Sequence, residues 1–84
     1  MSNAVIDMRY QPTKHAIERA ELRFGIAPES AVEWFNELMR KAKYVAANGK
    51  NGLVYQVDGI RLVVDGMTNA IITVHDALSA DFLK

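Results

Sequence analysis

The chain has 84 residues, half of them hydrophobic and 24% charged, which is typical of a folded globular protein and not of a disordered one. Its ten basic and ten acidic side chains cancel at pH 7, whereas proteins that hold nucleic acid non-specifically usually carry a marked basic excess. No cysteine is present. The composition therefore excludes disulfide bonds and thiolate metal sites, and it argues against strong non-specific binding of RNA or DNA.

The length predicts one domain over residues 1–84 with a thin core, because so short a chain buries only about 60% of the surface that it exposes when unfolded. Residues 1–4 receive no functional weight, since Ser2-Asn3-Ala4 matches the remnant that expression vectors leave. Residues 77–84 are predicted to form a C-terminal tail. An apolar run of about 20 residues and a signal-peptide pattern are both missing, which predicts a cytoplasmic protein without a membrane partner.

The first part of the chain predicts a short strand followed by a helix. Apolar residues alternate in part over Ala4–Tyr10, which predicts an edge strand, and Gln11-Pro12 is expected to interrupt sheet pairing because proline lacks a donor. Thr13 is the predicted N-cap of a helix that runs to Phe24 and ends at Gly25. The residues that this helix is expected to bury are Ile17, Ala20 and Phe24.

A second, longer helix is predicted from Pro28 to the stop signal Asn48-Gly49. Ser30 and Glu33 offer a capping box two residues after its start. Apolar side chains then recur at helical spacing for about five turns. The members of this stripe are Ala31, Phe35, Leu38, Ala42 and Val45.

The last third of the chain changes to the two-residue period of strands. Asp58-Gly59, between Leu53–Val57 and Ile60–Asp65, predicts a hairpin with a two-residue turn. The loop that follows is too short for a parallel crossover, so Ala70–His75 is predicted to be a third antiparallel strand. Its core side is expected to hold Ala70, Ile72 and Val74. The outer face of the three strands is expected to hold Val54, Gln56, Arg61, Val63, Ile71, Thr73 and His75.

These elements predict an α+β domain of order β-α-α-β-β-β, with two helices packed on one face of a mainly antiparallel sheet. The other face of the sheet is left open to solvent or a partner. Trp34, Phe35, Met39 and Tyr44 are interpreted as packing residues and not as a cofactor site, and no cofactor or metal is predicted. If the second helix exposes part of that stripe, the expected consequence is a homodimer or a groove for another protein.

The first helix carries His15, Arg19 and Arg23 at four-residue spacing, which places them on one helix face. A histidine that titrates near neutral pH beside two guanidinium groups suits a phosphate or another anion. Glu18 and Glu21 lie close by, so an ordinary solvated face is an equally open interpretation.

A second group, Gln56, Arg61, Thr73 and His75, is predicted on the outer face of the sheet. If it meets the first helix, two histidines and several arginines would form a site for metal-independent cleavage of RNA. His15 and His75 would then act as base and acid, and Arg19 and Arg61 would stabilise the phosphorane. The residues predicted to bind substrate are Arg23, Gln56 and Thr73.

The pattern of His15-Ala16, Arg19 and Arg23-Phe24-Gly25-Ile26, with a final strand Ile71-Ile72-Thr73-Val74-His75, resembles a group of small uncharacterised bacterial and phage proteins with a helix of HAxxR type. That group is similar to the BrnT and RelE toxins of toxin–antitoxin systems, within the barnase-like and RelE-like ribonuclease fold. The resemblance covers Tyr10–His75. It implies a RelE/BrnT-like fold, and it matches His15, Arg19 and Thr73 to positions of the family pattern.

Two functions stay open from the sequence. One is a metal-independent ribonuclease toxin with an RNA substrate and an antitoxin partner. The other is a non-catalytic protein-binding module of a phage or bacterium, which dimerises or inhibits a host protein through the open sheet face or the second helix. The pair of histidines favours the first function, and the balanced charge favours the second.

Overall fold

A computed structural model describes residues 9–77. Its helices are α1, Lys14–Phe24, and α2, Ala31–Lys41, which follows a 3-10 turn at Pro28–Ser30. Its strands are β1, Gln11–Pro12; β2, Lys43–Asn48; β3, Gly52–Val57; β4, Ile60–Asp65; and β5, Ala70–Asp76. The α+β class is confirmed, with one strand more than predicted after the helices. Most of the strand predicted at Ala4–Tyr10, and residues 78–84 of the predicted tail, lie outside the described residues.

The sheet has five strands in the order β1-β5-β4-β3-β2. Neighbours from β2 to β5 are antiparallel, whereas β1 pairs with β5 in parallel through Gln11 and Pro12. The expectation that these two residues interrupt pairing was wrong. The amides that flank the proline make the bonds instead, since Gln11 N donates to Asn69 O and Thr13 N donates to Ile71 O. A proline is tolerated there because its missing donor would point away from β5.

Helix α1 has the predicted bounds. The Oγ1 atom of Thr13 accepts a hydrogen bond from Ala16 N at 3.1 Å and caps the first turn. Gly25 ends the helix at φ 69°, a left-handed conformation that glycine adopts without a steric penalty. The deepest residues of α1 are Ala16 and Ala20, both fully buried, while Ile17 and Phe24 are half-buried.

The prediction that α2 continues to Asn48-Gly49 was wrong. The helix ends at Lys41, Ala42 is extended, and Lys43–Asn48 forms β2 against β3. The alanines in this segment have helical spacing and a high helix propensity, which led to the prediction of a helix. Pairing with β3 outweighs that propensity. The predicted capping box is also wrong, because Ser30 makes no side-chain cap bond and the helix begins from the 3-10 turn instead.

The hairpin of β3 and β4 has the predicted register, with Val57 opposite Ile60 and Tyr55 opposite Leu62. Asp58 and Gly59 have φ values of 50° and 77°, as a two-residue turn of the mirror-image kind requires.

A β-bulge in β5 changes the predicted faces. Thr73 lies opposite Val63 and Ile71 lies opposite Val64, so Ile72 is the extra residue. Ile71 is fully buried and Ile72 is 40% exposed, which is the reverse of the prediction. Thr73, Val74 and His75 keep their predicted sides because they follow the bulge.

The core lies between the helices and one face of the sheet. Its helical members are Ala16, Ala20, Ala31, Phe35, Leu38 and Met39, and its sheet members are Val57, Leu62, Val64, Ile71 and Val74. The opposite face of β2 to β5 is called the outer face below. No helix within the described range combines the length and the apolar content that crossing a bilayer requires.

Candidate functional site

Helix α1 lies along β5. Thr13 joins the two elements, since its N donates to Ile71 O at 2.9 Å and its Oγ1 donates to Ile72 O at 3.1 Å. The small side chains of Ala16 and Ala20 let the helix approach closely. Helix α1 therefore runs beside the last strand, with Thr13 at the bulge and Arg23 in the last turn of the helix.

Four polar side chains form a row across the outer face, here called the polar row. In the sheet register, Lys43 lies opposite Gln56, Gln56 lies opposite Arg61, and Arg61 lies opposite His75. Residues directly opposite each other on neighbouring strands point to the same face. The structure thus brings together three of the predicted site residues, Gln56, Arg61 and His75, and adds Lys43 from the unexpected strand β2.

Within the polar row, Gln56 orients Arg61. The Nε atom of Arg61 donates to Gln56 Oε1 at 2.7 Å. Because the bond uses one edge of the guanidinium, it fixes the plane in which the remaining N–H groups point. Thr73 lies one row away, opposite Val63 and beside an apolar patch.

His75 is partly buried and lies within range of two arginine side chains. Burial lowers the pKa of its imidazole below the ordinary value of 6.5, the positive charges of Arg23 and Arg61 lower it further, and Asp76 opposes them. The imidazole is therefore neutral at pH 7 and has a lone pair that can accept a proton. The influence of Arg23 also shows that the end of α1 lies within electrostatic range of the polar row.

His15 and Arg19 lie elsewhere on α1. Arg19 Nε donates to His15 Nε2 at 3.4 Å on the exposed side of the helix. A helix rises about 1.5 Å per residue, so the Cα atoms of His15 and Arg23 are about 12 Å apart along the axis. His15 is close to the start of α1 and His75 is influenced by its end, so this geometry offers no support for a shared site of two histidines.

An apolar depression adjoins the polar row, and we call it the outer-face trough. Its floor includes Val54 and Val63, each only 8% exposed although they lie on the outer face. The depression has a volume of about 380 Å³, which is in the range of small-ligand sites. It is lined by Ala46, Ala47, Asn48, Val54, Arg61, Val63 and His75.

Sequence reasoning missed the contributions of β2 to this site, Lys43 and Ala46–Asn48, because it placed them in a helix or a turn. Two local signals were present. Tyr44-Val45 favours a strand, and Asn48-Gly49 is a hairpin-turn pair as well as a helix stop.

A second depression, of about 260 Å³, lies between α2 and the chain before β1. Its buried polar residue, Asn36, donates through Nδ2 to Tyr10 O and Val32 O and accepts from Tyr10 N. These bonds fasten the start of the described chain to α2. Arg40 at its rim pairs with Glu37 at 2.7 Å. We interpret this region as a structural tie.

Residues 9–77 contain no cluster of three His, Asp or Glu side chains that could hold a metal ion. Comparison with known proteins found no matching family model, no matching curated protein and no matching solved structure.

Proposed function

We propose that this protein is a small cytoplasmic ribonuclease of bacterial or prophage origin, which cleaves RNA on its outer face without a metal ion. The observation that carries the proposal is the environment of His75. Burial keeps this imidazole neutral, and the guanidinium groups of Arg23 and Arg61 act on it from two elements. A neutral base next to fixed positive charge is the arrangement that cleavage of a phosphodiester needs.

The reaction needs a base, an acid and groups that stabilise an anion, and here one imidazole acts first as the base and then as the acid. His75 accepts the proton of a ribose 2′-hydroxyl, the 2′ oxygen bonds to the adjacent phosphorus, and the bond from phosphorus to the 5′ oxygen breaks. The proton held by the imidazole passes to the leaving 5′ oxygen, which gives a 2′,3′-cyclic phosphate and a 5′-hydroxyl. Arg61, oriented by Gln56, and Arg23 stabilise the negative charge of the phosphorane.

The remaining predicted residues have different relations to this reaction. Thr73 lies beside the trough, where it can contact the sugar or base of a bound nucleotide. His15 and Arg19 take no part in the step, although they belong to the pattern that resembles the BrnT and RelE toxins. That resemblance supports a toxin role, in which an antitoxin would cover the outer face.

The test is cleavage of a labelled RNA by the purified full chain in the presence of a chelator. We expect His75→Ala to lower the rate at least about 100-fold, as loss of a general base does. His15→Ala, at an exposed histidine on the other end of α1, is the matched control and should retain the rate. Full activity in a folded His75→Ala variant, or equal loss in both variants, would contradict the proposal.

The alternative function is a non-catalytic protein-binding module. The apolar floor of the trough, with Val54 and Val63, and the net charge of zero favour it. Expression of wild type and His75→Ala in a bacterial host separates the two functions. Growth arrest by wild type alone is expected of the toxin, whereas absence of arrest together with absence of RNA cleavage by wild type would favour the binding module.

A further inference from the structure

Strand β2 is an exposed edge without the usual protection. All six of its residues are exposed, and it is the last strand in the order of the sheet. No strand in residues 9–77 therefore pairs with the side of β2 that faces away from β3. No charged residue lies between Lys43 and Lys50, while Tyr44 is 55% and Val45 is 43% exposed. Soluble proteins usually protect such edges with charges, prolines or very short strands. The opposite edge, β1, has only two residues.

The pattern of side chains along β2 complements itself. A bulge between Tyr44 and Ala46 places Tyr44 and Ala47, which lie opposite Tyr55 and Leu53, on the core side of the sheet. Lys43, Ala46 and Asn48 consequently share the outer face. In an antiparallel pair of two β2 strands, opposite residues must point to the same face. The register centred between Val45 and Ala46 meets this condition at two pairs, since Lys43 and Asn48 share the outer face and Tyr44 and Ala47 share the core side.

We propose that β2 is the interface of a homodimer, in which two copies of the chain join their sheets edge to edge about a two-fold axis. Tyr44 would then lie opposite Ala47 of the partner subunit, and Lys43 would lie opposite Asn48 of the partner subunit. The net charge of zero imposes no long-range repulsion between copies. Main-chain hydrogen bonds would supply most of the affinity, as in other cases of strand addition.

The dimer would also join the two outer-face troughs. Ala46, Ala47 and Asn48 line the trough of each subunit and belong to the proposed interface. The troughs would therefore meet at the two-fold axis and form one longer surface. This consequence depends only on the position of β2 and not on RNA cleavage.

The experiment measures the mass of the full chain by sedimentation equilibrium over a wide range of concentration. Wild type should reach twice the chain mass of 9.4 kDa and dissociate on dilution. Val45→Lys with Ala46→Lys should remain at the single chain mass, because like charges would then lie directly opposite each other. Leu22→Lys with Met67→Lys is the matched control, since these exposed apolar residues lie outside β2, and it should dimerise like wild type.

A charge-swapped mixture tests the register. The lysine double variant mixed with Val45→Glu and Ala46→Glu should recover the dimer mass. Hydrogen exchange at β2 amides in wild type should slow as concentration rises, which tests the interface without a substitution. A wild type that is monomeric at every concentration, a lysine variant that still dimerises, or β2 exchange that is independent of concentration would overturn the proposal.

Discussion

The two edges of the sheet are covered to different extents. At the edge formed by β1 and β5, α1 packs along β5 through Ala16 and Ala20, and Thr13 forms a hydrogen bond to β5. Charged groups also lie close to His75 on this strand. At the β2 edge, all six residues of the strand are exposed, no charged residue lies between Lys43 and Lys50, and no strand within residues 9–77 pairs with the free side of β2. Under the two proposals made above, the two edges have different roles. The edge covered by α1 would hold side chains in fixed positions for chemistry, and the β2 edge would offer backbone groups for association.

The largest stability effect should come from the tight contact of α1 with β5. Ala20 is fully buried, so Ala20→Leu overpacks the contact and should lower the free energy of unfolding by about 1 to 3 kcal/mol. The same change at the exposed Ala46 of β2 should alter it by less than about 0.5 kcal/mol. Urea unfolding in dilute solution measures both values. Equal effects at the two positions would remove the contrast between a packed end and an open end.

A smaller effect is expected where Thr13 fastens α1 to β5. Thr13→Ala removes the cap on Ala16 N and the bond to Ile72 O, and it should cost about 1 kcal/mol. Thr13→Ser keeps the hydroxyl group and should restore most of that loss. The decisive comparison is thermal unfolding of the two variants, and the anchoring role fails if alanine and serine behave alike.

Local signals predicted much of this fold. Thr13 and Gly25 predicted the first and last residues of α1, because a cap and a left-handed glycine act within a few residues. Asp58-Gly59 predicted the hairpin register in the same way. Strand β2 could not be predicted so directly, because Ala42 and Val45 have helical spacing and only pairing with β3 decides their conformation. The bulge at Ile72 likewise depends on a neighbouring strand.

The candidate site was predictable in part for the same reason. Gln56, Arg61 and His75 follow from strand alternation once the hairpin is placed. Arg23, and not His15, acts on His75 because of how α1 lies against β5. Residue spacing alone does not determine that packing. Asn36 carried no local signal, since its partner Tyr10 is far away in the sequence.

The central claim is that His75 is a neutral base and that a phosphate binds beside it, next to Arg23 and Arg61. Burial and both arginines lower the pKa of His75, so the midpoint of its titration should lie below 6.5. The direct measurement is an NMR titration of both histidines with and without a dinucleotide that lacks the 2′-hydroxyl. A bound phosphate should raise the pKa of His75 in wild type, and should raise it less in Arg61→Ala. The resonances of His15 should be the same with and without the dinucleotide. A lowered pKa that the dinucleotide leaves unchanged, or a response at His15 alone, would contradict the account.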